Sequence, residues 1–121
     1  MLHIDRAFIV IAILYALLGQ VLGIWMGINQ DFGHRHLHAH INLVGWVSLA
    51  LAGLVYRSYP KMAGRALARW HFWVANLGAL LLTSGIFIVN AYDVEIVVVV
   101  GSLLAIVATA MLLANALAGM E

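Results

Sequence analysis

The chain has 121 residues, of which 65% are hydrophobic and only 9% charged, with a mean hydropathy of +1.04. Soluble domains carry roughly 25% charged residues, so this chain cannot cover itself with polar surface and is expected to be an integral membrane protein. Six Lys and Arg stand against five Asp and Glu, which gives no basic excess for nucleic acid. The lack of cysteine excludes disulfides, thiolate catalysis, iron–sulfur clusters and sulfur-held zinc.

The opening "MLHIDR" is too short and too acidic for the basic region of a cleaved signal peptide, and no cleavage site follows. The first apolar run is therefore expected to stay as a transmembrane helix. A helix needs about 20 apolar residues to span the hydrocarbon core, and only helices or closed barrels satisfy their backbone there. Four such runs are readable: Ala7–Ile28, Ala39–Tyr56, Trp70–Val89 and Ile96–Ala118. The short loops between them make consecutive helices antiparallel neighbours. The expected fold is all-α, a single four-helix membrane domain over residues 1–121.

Orientation follows from the loops. "RSYPKMAGRALAR", between the second and third runs, carries Arg57, Lys61, Arg65 and Arg69 and no acid. The positive-inside rule places this loop and both termini in the cytoplasm. The outward side then holds the loops with Asp31 and Arg35 and with Asp93 and Glu95, facing the periplasm if the membrane is a bacterial inner membrane. Trp25 and Tyr92 on one side, with Tyr56, Tyr59 and Trp70 on the other, suit aromatic belts. Two small-residue rows, Gly19-Gly23-Gly27 and Ala110-Ala114-Ala118, allow close helix approach, either within one chain or between copies.

The outer end of the second run is rich in histidine. "DFGHRHLHAHINLVGW" spans residues 31–46 and places His34, His36, His38 and His40 two apart. Gly33 and the charges argue that the helix begins near Leu37. Positions i and i+2 lie about 200° apart on a helix, so His38 and His40 face opposite flanks and suit two separate centres better than one chelated ion. Asn42 and Gly45 fall below His38, and Val44, Val47 and Leu51 below His40. Gly45 and Gly53 leave room for a flat ring near the backbone. A plain alternative is a pair of neutral imidazoles hydrogen-bonded at the interface. Ionisable groups inside a membrane are costly and usually functional, which favours ligation by His38 and His40. His34 and His36 fit an ordinary interfacial loop, and His71 an interfacial or hydrogen-bonded position. Two imidazoles on apolar, glycine-relieved helices also match the needs of a low-spin heme.

The segment from His38 to Gly85 resembles the tenth and eleventh helices of subunit I of heme–copper oxidases. The features that carry the likeness are His38-Ala39-His40, Gly53, Tyr59-Pro60, Gly64 and His71-Phe72, in that order and sidedness. His40-Ile41-Asn42 is also similar to the His-x-Asn on the second helix of nitric oxide reductases. The resemblance implies that His40 is an axial ligand of a low-spin heme b, with Asn42 and Gly45 beside it, and that His38 faces the other centre. It also implies a homotrimer that mimics the family's twelve-helix subunit, with heme between neighbouring protomers. His40 of one chain would pair with His38 or His40 of the next. The family's separate copper site and acidic proton channel have no counterpart here, although His34 and His36 stand as candidate copper ligands. The expectation is a membrane cytochrome in the lipid bilayer that passes electrons to a partner, or binds heme or a diatomic gas. Oxygen or nitric oxide reduction is not expected of this chain alone. The rival expectations are a heme-free copper or zinc protein using all four outward histidines, and a structural assembly subunit.

Overall fold

The structure, a computed structural model, describes residues 3–120. Its helices are α1 (Ile4–Asn29), α2 (Arg35–Ser58), the single turn α3 (Pro60–Ala63), α4 (Ala66–Tyr92) and α5 (Ile96–Gly119). All but α3 are long and apolar enough to cross a membrane, which makes this an all-α, multi-pass membrane protein. The helices outrun the purely apolar stretches by up to a turn at some ends. Hydrogen-bonded backbone continues past the hydrocarbon edge into residues such as Asp5, Arg57 and Arg69.

The bundle consists of two antiparallel hairpins, α1 with α2 and α4 with α5, joined by looser contact between α2 and α4. Glycines set the α4–α5 seam. A Cβ at Gly101 would run into the backbone of Leu81 and Leu82. One at Gly85 would meet the backbone of Val97 and Val98, and one at Gly78 would lie 3.0 Å from the Ala105 nitrogen. Without a hydrophobic drive between helices in lipid, this close backbone approach supplies the dispersion that holds the pair. On the other hairpin, Gly19 and Gly23 of α1 receive the side chains of Asn42 and His38, while Gly27 has open space above it. Two thirds of the first small-residue row thus packs within the chain. Ala110, Ala114 and Ala118 lie exposed on the outer face of α5.

One end of the bundle gathers α3, the start of α1 and the end of α5. Pro60 opens α3 at a position where its missing N–H costs nothing. Arg65 Nη1 donates to the Ala118 carbonyl at 3.1 Å, satisfying an end group of α5, and Arg57 pairs loosely with Asp5 at 3.7 Å. At the opposite end, α1 and α4 finish on left-handed residues, Gln30 (φ 51°) and Asp93 (φ 57°), whose N–H groups bond back to Met26 and Val89. These two outer turns flank the histidine-rich start of α2.

Trp25, Tyr59, Trp70 and Tyr92 are exposed near the two ends, as belt residues should be, but Tyr56 is not. At 1% exposure it lies inside, where its hydroxyl bonds the His71 imidazole. A tyrosine at a helix end can turn inward wherever a buried partner answers its hydroxyl, and here one does.

Candidate functional site

Helix α2 begins at Arg35, two residues before the expected Leu37. Asp31 Oδ1 accepts from the Gly33 N–H at 3.0 Å, which turns the chain, and His38 N–H then closes onto the His34 carbonyl at 2.9 Å. The earlier start brings His36 and His40 into i, i+4 register. His40 Nδ1 lies 2.8 Å from the His36 carbonyl oxygen. A carbonyl can only accept, so Nδ1 carries a hydrogen, and in the neutral ring Nε2 keeps the lone pair. An imidazole held by Nδ1–H to a backbone carbonyl, with Nε2 free, is oriented and polarised as metal ligands usually are.

Below His40 the helix changes type. Ile41–Ser48 is a π-helix inserted between two α-helical stretches, and Ser48 Oγ bonds the Leu43 carbonyl five residues back. Such turns are rare and frequently mark functional sites. The buried positions Ile41, Gly45 and Leu49 recur every four residues here, then close up to Ala52, Gly53 and Tyr56 in the α-helical part.

The sequence-predicted residues sort onto separate surfaces. His38, Asn42 and Gly45 face α1: His38 lies over Gly23, Asn42 over Gly19, and Gly45 against the ring of Tyr15. Gly53 likewise receives Ile9 and the Asp5 carbonyl. Within this chain the room at both glycines is therefore filled by α1 and not by a ring ligand. Asn42 Nδ2 donates to the His38 carbonyl at 2.8 Å, and the His38 Nδ1 is buried without a partner. His40, two residues on, leaves from the opposite flank and is half-buried. His36 is exposed, whereas His34 is wedged between Trp25 and Phe87 with ring centroids 6.1 and 5.9 Å away. Among the described residues no three His, Asp or Glu side chains converge on one metal position. The four histidines around the start of α2 do not form a single ion cage within one chain, because successive ones point to different faces.

His71 occupies a second, inner site that the sequence only partly signalled. It is 3% exposed, packs on Phe8 at 5.2 Å between ring centroids, and bonds Tyr56 Oη through Nδ1 at 2.8 Å. Asn115, fully buried, lies beside this pair and donates to the Met62 carbonyl at 3.2 Å. A lone Asn in so apolar a helix was the available signal, since such groups rarely sit in lipid without a partner.

Fold and site together define a small four-helix membrane protein whose second helix opens on paired imidazoles. In sequence it is similar to part of cytochrome c oxidase subunit 1. The identity to the protein of that name from Rhodobacter capsulatus is 32% over 62 residues, 46% of this chain and 12% of that protein. The subunit 1 homolog of Agrobacterium tumefaciens is 36% identical over 50 residues, 36% of this chain and 9% of that one. The bacteroid homolog of Bradyrhizobium diazoefficiens is 35% identical over 57 residues, 42% and 10%. The matched stretch thus spans about a tenth of the length of these relatives. No family model and no solved structure matches the chain.

Proposed function

We propose that the chain is a membrane-bound b-type cytochrome that holds heme through His40 and transfers electrons. The observation that carries this reading is the His40–His36 hydrogen bond, which presents an unprotonated Nε2 from a half-buried flank at the head of a π-helix. A thiolate-free chain leaves imidazole as the strongest iron ligand available. When bound, the heme would supply a reversible one-electron couple. The chain's residues orient the ligand: His36 fixes the His40 ring through its carbonyl. The apolar positions below His40 exclude water from the ring.

The proposed second axial ligand is His38 of a neighbouring protomer in a cyclic homotrimer, since a His40–His40 pair needs a two-fold axis and closes a dimer instead. Each histidine sits near the outer end of α2 on a different flank, so a heterologous contact repeated three times closes the ring. The exposed Ala110-Ala114-Ala118 face offers a surface for close approach between copies. Native mass spectrometry in mild detergent is expected to show a trimer carrying heme, and monomers alone would sink the trimer. A purified protein without Soret and α bands, but with stoichiometric copper, would sink the heme. In that case a heme-free, metal-handling role for the histidine cluster, His34, His36, His38 and His40, takes its place.

The proposed location is a bacterial inner membrane, with the basic loop inside and the histidines outside. The chain has no cysteine of its own, so single cysteines report topology directly. A cysteine at Lys61 is expected to react with an impermeant maleimide only after the cells are opened, and one at His36 before. The opposite pattern would invert the orientation.

A further inference from the structure

Past Val44, below the His40 flank, a partly open fissure carries polar groups of its own, with Ser48 and Thr109 exposed at its edge. Helices α2 and α5 both lean on α4 but scarcely on each other. The fissure between them is a cavity of about 150 Å³, lined by Val44, Ser48, His71, Ala105, Ala108 and Thr109 among others. It lies within the membrane-spanning part of the bundle, and its His71 is bonded on the far side to Tyr56, beside Asn115.

The hydrogen bonds at that end fix which proton faces the cavity. The Met62 carbonyl can only accept, so Asn115 turns Nδ2 towards it, and the same amide lies 3.5 Å from Tyr56 Oη as a weak second donor. Among the described residues His71 Nδ1 is the acceptor within reach of the buried Tyr56 hydroxyl, so the O–H points to it, 2.8 Å away, and does not stay unpaired. His71 is buried among Phe8, Tyr56 and apolar walls, where an unpaired charge is prohibitive, so the ring is neutral and carries its hydrogen on Nε2. This is the opposite tautomer to His40: one histidine offers a lone pair, the other an N–H. Nε2 has no protein partner and is the polar atom of His71 open to the cavity. Ser48 and Thr109 spend their hydroxyl hydrogens on the Leu43 and Ala105 carbonyls, so they present oxygen lone pairs to the same space.

One donor, two acceptors and apolar walls of this volume describe a definite guest. An apolar cavity of about 150 Å³ holds one benzene ring, and water alone would satisfy the N–H but leave the alanine wall without contacts. We infer that the fissure binds a single six-membered ring bearing a phenolic oxygen. The ring oxygen accepts from His71 Nε2–H, and a ring hydroxyl donates to Ser48 or Thr109. This chemistry is shared by free phenols and by the reduced, tailed hydroquinones of membranes.

The test uses the purified protein in detergent, with 4-fluorophenol and fluorobenzene followed by fluorine NMR. Wild type is expected to bind the phenol about tenfold more tightly than fluorobenzene, the worth of one buried hydrogen bond. His71→Phe should keep fluorobenzene binding and lose the preference, and Ala108→Leu should lose both. Ala105→Leu, at a less enclosed wall, repeats the filling test if Ala108→Leu fails to fold. Competition by decyl-hydroquinone assigns the tailed class, and its absence assigns free phenols. Lack of saturable phenol binding by wild type, or a preference that survives His71→Phe, overturns the inference. None of these substitutions touches His40, so the heme spectrum of each variant reports separately on the proposed cytochrome function.

Discussion

His40→Ala is expected to abolish the heme absorbance of the purified protein, and no other single histidine change should do so. The reason lies in the tautomers and in placement. His40 is the histidine whose Nδ1 is committed to a backbone carbonyl while Nε2 keeps its lone pair. His71 has its proton on the wrong nitrogen for ligation, His34 is clamped between Trp25 and Phe87, and His36 is in open solvent. His38→Ala discriminates between the two axial pairs. If His38 of a neighbour is the second ligand, its loss leaves a high-spin heme that takes up carbon monoxide. If two His40 side chains pair across a two-fold axis, the low-spin spectrum survives and the oligomer is a dimer, not a trimer. His40→Gly with added imidazole should restore part of the bands, which a merely structural role for His40 would not allow. Retention of the full spectrum in His40→Ala would overturn the ligand assignment outright.

Gly101→Val should be the most damaging change to the fold. A valine here meets the backbone of Leu81 and Leu82, which has no rotamer to turn away. Overpacking of cores costs about 1–3 kcal/mol where side chains can adjust, and a collision with backbone belongs at or above the upper end. The α4–α5 hairpin must then separate along its length, because Gly85 and Gly78 close the same seam from the other helix. A markedly lower midpoint in detergent or SDS denaturation is expected, against an unchanged midpoint for Gly27→Ala, whose Cβ meets nothing within 4 Å. Equal midpoints for both variants would show that the seam is looser than described.

The four spans were legible because each is an apolar run of the length a bilayer demands, and the short loops dictated antiparallel hairpins. Facing was much less legible. In a soluble helix the polar side marks what lies outside, but the few polar residues of α5, Ser102, Thr109 and Asn115, mark no such side, so nothing in its sequence says that Gly101 faces α4 while Ala110 lies exposed on the other side. Tyr56 was misplaced for a related reason: at a helix end, tyrosine suits both the interface and the interior. The partners that decide for the interior, His71 and Asn115, lie 15 and 59 residues away. At the histidines, the i, i+2 geometry already separated His38 from His40. The hydrogen bond that selects His40 required the helix to start at Arg35, and the composition of the loop did not reveal this. The π turn left no trace either, since two polar residues in eight, Asn42 and Ser48, are too few to set a periodicity that a wider turn would break.

That turn sets a phase between the two halves of α2. Each residue advances an α-helix by 100°, and Ile41–Ser48 accommodates extra residue spacing without kinking the chain. Deleting one residue there would let the segment relax to α-helix and swing the whole imidazole-bearing head by about that angle. Gly53, Tyr56 and the buried foot of the helix would stay in place. The azimuth of the ligand is thereby written in chain length and not in side-chain identity. A one-codon deletion inside this mostly apolar stretch would redirect His40 without changing a single residue that touches it.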